Sequence, residues 1–131
     1  MISLVYTGTV ITLNCFLIGE DPYQNTFQVE IDKTKQVGFL KEAINTKQGG
    51  IFIPNQLKLW IVSIPLESEN KGLTNTENRD INIEDLGGVN LPPTSTISEH
   101  FSKELDMKNI HIIVKAPVNQ SSSRDNIGKN F

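Results

Sequence analysis

A chain of 131 residues, 37% of them hydrophobic, can bury one core, and its length argues for a single domain. Its formal net charge of −3 shows no basic excess gathered for a nucleic-acid surface, so no nucleic-acid partner is expected for this domain. Cys15 is the only cysteine, which excludes an internal disulfide and leaves the fold to stand on packing alone.

The first nineteen residues carry no charged side chain, yet they lack a basic start, and Ser3, Thr7, Thr9, Thr12 and Asn14 interrupt any apolar block. Neither a conventional cleavable signal nor a transmembrane segment is expected there. Residues 1–10 read as an N-terminal extension. From Ile11 to Ile18, Ile11, Leu13, Cys15 and Leu17 alternate with Thr12, Asn14 and Phe16, the pattern of a half-buried strand. The turn formers of Gly19 to Asn25 then connect it as a hairpin to a second strand over Thr26 to Asp32. In that strand Phe27, Val29 and Ile31 share a dry face, while Gln28, Glu30 and Asp32 share a wet one.

A covering element follows. Val37, Leu40 and Ile44 recur at spacings of three and four, predicting a helix over 37–47 whose Lys41, Glu42 and Lys47 project away from the apolar stripe. Asp32, Thr34 or Gln36 can cap its start, and Gly49-Gly50 stops it. A third strand runs from Leu57 to Ile64, apolar on both faces, and Pro65 ends its ladder. Residues 66–93 are polar with scattered Leu and Ile, too long for an ordinary connection, with a short ordered segment expected around Ile81 to Leu86. Six acids against two bases (Lys71, Arg79) place the chain's acidity in this insertion. Thr96 to Phe101 reads as a capped single turn. Asn109 to Pro117 is an apolar strand stopped by proline, and residues 118–131 form a flexible, Ser-rich tail without period.

Two strands, one helix and two further strands, in that order, predict an α+β fold. It is a β-grasp, with a mixed four- to five-stranded sheet packed on one helix and a long insertion before the last strand. Leu40 and Ile44 must then meet Phe27, Leu59 and Ile112. In such a sheet the third and last strands are neighbours, so Trp60, Val62, His111 and Ile113 share the face turned away from the helix, whereas Leu59, Ile61, Ile110, Ile112 and Val114 point into the core. That patch is the candidate protein-binding surface, with the tryptophan at its centre. The alternative is that the insertion folds back over it and makes a second small core.

Catalytic chemistry is not expected. Cys15 paired with His100 or His111 is the one nucleophile arrangement on offer, but Cys15 lies in phase with Ile11, Leu13 and Leu17, where a thiol acts as a small hydrophobe. No ligand-like spacing of Cys, His and carboxylates supports a metal, and Gly49-Gly50 and Gly87-Gly88 lack the residues of a phosphate loop, so no cofactor is expected. Asn119-Gln120-Ser121 fits the glycosylation triplet, with meaning only if the tail enters a secretory lumen.

Two resemblances sharpen this picture. Gly50-Ile51-Phe52-Ile53-Pro54-Asn55-Gln56-Leu57-Lys58-Leu59 resembles the ubiquitin segment leading from the helix into the third strand. Thr96-Ile97-Ser98 and Ile110-His111-Ile112-Ile113-Val114 resemble ubiquitin's late turn and last strand. The insertion and the lack of a Gly-Gly end after the last strand set this chain apart from a conjugated modifier. More specifically, Ile11-Thr12-Leu13-Asn14-Cys15, Gly19-Glu20-Asp21-Pro22, Ile31-Asp32-Lys33-Thr34-Lys35 and Leu59-Trp60 with Ile64-Pro65 resemble fungal members of the Crinkler effectors. His111-Ile112-Ile113-Val114-Lys115-Ala116-Pro117 is similar to the H-V-L-V-x-x-P motif that closes their N-terminal domain.

The resemblance covers residues 11–117. It implies a secreted, noncatalytic N-terminal domain that reaches the host cell, cytoplasm or nucleus, and works there through contacts with a host protein, serving symbiosis or virulence. Two features depart from the family. The L-F-L-A-K element associated with host entry is not reproduced at Leu57 to Val62, and the C-terminal effector domain that follows the closing motif is not contained in these residues. The rival reading is an intracellular ubiquitin-like adaptor that is not exported.

Overall fold

The first two strands form where alternation is cleanest. In the computed structural model, which describes residues 9–66, 76–101 and 105–117, β1 (Val10–Leu17) pairs antiparallel with β2 (Phe27–Asp32), Val10 opposite Asp32 and Cys15 opposite Phe27. The turn formers between them make a four-residue helix, α1 (Pro22–Asn25). Asp21 accepts the Tyr23 N–H at 2.9 Å, and Pro22 sits in the first turn, where its missing N–H costs nothing.

The main helix, α2 (Val37–Lys47), has the predicted bounds, and Val37, Leu40 and Ile44 are fully buried. Its C-terminus ends as expected at Gly49 and Gly50, whose positive φ angles of 85° and 71° suit residues without a Cβ; the Gly50 N–H bonds to the Asn45 carbonyl at 2.8 Å. Its N-terminus is different from expectation. Gln36 is the cap residue but makes no side-chain cap bond. Instead the Val37 and Gly38 N–H groups bond to the carbonyls of Ser95 (2.9 Å) and Pro93 (3.1 Å), so a segment about 55 residues away satisfies them. Asp32 closes a local turn on Thr34 rather than capping the helix.

After a 3-10 turn at Pro54–Gln56 come β3 (Lys58–Pro65), a 3-10 turn at Ile83–Leu86, the two-residue strand β4 (Val89–Asn90), a 3-10 turn at Ile97–Glu99 and β5 (Asn109–Lys115). The Thr96 N–H bonds to the Glu99 carboxylate at 3.0 Å, as the predicted capped turn requires. The sheet order is β2-β1-β5-β3-β4, with β5 parallel to β1 and the other neighbours antiparallel. This is a mixed five-stranded sheet on one main helix, the β-grasp arrangement. Leu40, Ile44, Leu59 and Ile112 share one cluster, with Phe27 packed against it, as the fold demands.

Two corrections concern faces. Lys41, placed by the pattern on the outer side of the helix, is buried. Ile110, placed with Ile112, packs instead in a second cluster with Trp60, Ile64 and Ile113. The β3–β5 register slips between Ile61 and Ile64, so three steps along β3 match two along β5, and the alternation that governs Ile112 to Val114 does not carry through to Ile110. Residues 1–8 of the N-terminal extension, 67–75 of the insertion and the tail from 118, with its glycosylation triplet, lie outside the described residues. No helix among the described residues is long and apolar enough to cross a membrane.

Candidate interaction groove

The expected exposure of the sheet face is not found. Trp60, Val62, His111 and Ile113 are only 8%, 5%, 3% and 0% exposed. The insertion folds back, and Ile83 seats beside Trp60, Val62 and Ile113 with Ile81 and Leu86 packed against them. Three of the four predicted residues, Trp60, Val62 and Ile113, thus belong to a second core, with Phe16, Ile18 and Ile110. Burial of these side chains, rather than presentation, is what the scattered apolar residues of the insertion accomplish.

Polar contacts hold the insertion down. The indole N–H of Trp60 donates to the Glu84 carboxylate at 2.8 Å, and this bond is the leading reason that the Glu84 pKa lies below the usual value. Leu91 N–H donates to the Leu59 carbonyl at 2.9 Å, and Arg79 Nη2 donates to the Ala116 carbonyl at 2.9 Å. Gly88 lies so close to Ile83 that an added Cβ would stand 2.7 Å from Cγ2 of Ile83 and 2.9 Å from its carbonyl oxygen.

His111 does structural work in the sheet. Its Nδ1 accepts the Asn14 backbone N–H at 2.9 Å, just beyond the three residue pairs that join β1 to β5. Its Nε2 is therefore the protonated nitrogen and donates to the Asp106 carbonyl at 2.8 Å. The Asn14 amide donates in turn to the carbonyls of Met107 (2.9 Å) and Asn109 (2.8 Å). Burial pushes the His111 pKa down, against a smaller upward pull from Asp106.

His100 Nε2 lies 2.9 Å from the Ser95 hydroxyl, so neither histidine activates the thiol. Cys15 is fully buried, its Sγ 3.7 Å from the Leu13 carbonyl, and desolvation raises its pKa far above the ordinary range. Among the described residues no group of three or more His, Cys, Asp or Glu is placed to hold a metal.

A groove of about 920 Å³ opens beside β3 and the edge strand β4. Lys41 of α2 lines it, with Asn55 and Gln56 of the following 3-10 turn, Lys58 and Trp60 of β3, and Asn90 of β4. A smaller hollow of about 260 Å³ adjoins it, sharing Lys41, Asn55 and Pro93 and adding Phe39, which is half exposed under the Lys35 ammonium at 4.8 Å. Trp60 is the one predicted surface residue that also reaches this groove. Lys41 carried no signal in the sequence: it lines the groove with Leu91 and Pro93, residues about fifty positions away that a helical pattern cannot reveal.

Comparison with known proteins agrees with the resemblance carried by the sequence motifs. Residues 11–115 match the family model described as the Crinkler effector protein N-terminal domain. The chain is also similar to "Crinkler effector protein 1" of Rhizophagus irregularis, with 31% identity over 116 residues. The similarity covers 86% of this chain but 23% of that protein, so the chain spans less than a quarter of the relative's length.

Proposed function

The chain belongs to the Crinkler effector family, whose N-terminal domain it carries, and we propose that this domain acts without catalysis, in delivery and protein binding inside a host cell. The match over residues 11–115 carries the reading. The site chemistry supports it: the thiol is sealed in the core, and both histidines are committed to structural hydrogen bonds. In this reading the protein is secreted, its N-terminal domain contacts a host protein in cytoplasm or nucleus, and any further activity resides in residues that follow this domain in the longer family members.

The test is location. The chain, tagged and expressed in its own organism during colonisation of a host, is expected in the host cytoplasm or nucleus by immunogold labelling. Retention within the producing cells would favour the intracellular adaptor instead. Both readings need a protein-binding surface. The face centred on Trp60, Val62, His111 and Ile113 serves a partner only where the Ile83–Leu86 turn swings away, so the groove beside Trp60 is the better candidate in the folded chain.

A further inference from the structure

Lys41 is 7% exposed, and no acid or hydrogen-bond acceptor among the described residues meets its ammonium. The ammonium itself still reaches water through the groove, so its charge stands there without a protein partner while the stem is covered. Its stem packs in the protein while it lines both the groove and the adjoining hollow, the one charged side chain the two spaces share. We propose that this groove binds an extended segment of another protein by seating a carboxylate side chain on Lys41.

The rest of the lining selects that occupant. Lys41 and Lys58 are the charged residues lining the larger groove, although the whole chain carries a net charge of −3; Glu42 lines the adjoining hollow, and the Glu84 carboxylate is held by the Trp60 indole. Lysine presents a compact point charge suited to a single carboxylate, and no arginine fork lines the groove to grip a phosphate on two sides. The Asn55, Gln56 and Asn90 amides can each donate and accept, matching the alternating N–H and C=O groups of an extended backbone. Trp60, Leu91 and Pro93 supply apolar walls for the residues flanking the acid. Burial depresses the Lys41 pKa, a cost that a bound carboxylate removes.

This inference deepens the reading of the domain as a protein-binding module and rests on it for its biological occupant. Trp60 is the only tryptophan, so its fluorescence reports on the groove. The whole chain is titrated with an acetylated, amidated Leu-Glu-Leu-Glu-Leu peptide, its Leu-Gln-Leu-Gln-Leu counterpart, sodium acetate and tripolyphosphate. The proposal expects saturable binding of the Glu peptide and a loss of roughly tenfold or more for the Gln peptide. A similar loss is expected for the Glu peptide on Lys41→Met, an apolar variant of like length whose folding is checked by circular dichroism.

Equal binding of the Glu and Gln peptides overturns the proposal, and that comparison needs no variant. So does unchanged binding by folded Lys41→Met, absence of binding by the Glu peptide, or tighter binding of tripolyphosphate, which would mark an anion site of another kind. A host protein retained equally by native chain and Lys41→Met would preserve the proposed host-binding role and sink this groove. Retention of the chain in the producing organism would do the reverse.

Discussion

At the residue scale, two buried groups make contrasting forecasts. The Cys15 thiol is desolvated by the core, and only its thiolate is reactive. Ellman's reagent should therefore find no reactive thiol in the native chain and one equivalent in urea; rapid native labelling would contradict the packing. His111 is held neutral, with its Nδ1 lone pair occupied by the Asn14 N–H. Its folded pKa lies below the ordinary 6.5, so in acid the unfolded chain binds a proton that the folded chain resists. This contribution to stability is complete above that value and is lost as pH falls below it. The urea midpoint should drop between about pH 7.5 and about pH 5, and His111→Asn should flatten the decline. The sequence placed His111 on a strand correctly, but only the neighbouring β1 backbone gave its ring a role.

At the element scale, the insertion decides how the sheet is used. Ile83 is 2% exposed and packs against Trp60 and Ile113, so Ile83→Ala should cost about 2–4 kcal/mol in urea denaturation, within the range for truncated core aliphatics. Gly88→Ala should destabilise by about 1–3 kcal/mol, because its Cβ would collide with both the side chain and the backbone of Ile83. A neutral Gly88→Ala would show that the Ile83–Leu86 turn can shift freely. The sequence indicated order around Ile81 to Leu86, yet not its destination. Apolar residues without a period do not declare which surface they will cover. The start of α2 is similar: its N–H groups are satisfied by Pro93 and Ser95 carbonyls, and no residue near Val37 announces that contact.

On the scale of the whole molecule, one sheet separates two clusters, the helix side around Leu40 and Leu59 and the insertion side around Trp60 and Ile113. Adjacent residues of the same strands feed both: Leu59 and Trp60 on β3, Ile112 and Ile113 on β5. Losing either cluster loosens the strands that support the other. Unfolding followed by Trp60 fluorescence and by far-ultraviolet circular dichroism should therefore give coincident transitions. An earlier fluorescence transition would reveal an insertion that opens by itself. The amino-acid sequence determined the strand and helix periods, the helix stop at Gly49-Gly50 and the hairpin pairing of β1 with β2, because alternation and turn chemistry are local properties of the chain. Tertiary structure decided which sheet face was covered, where Ile110 turned after the β3–β5 register slip, and that the Lys41 side chain was largely buried at a groove. Those outcomes depend on segments far apart in sequence meeting in space, and no local pattern encodes the meeting.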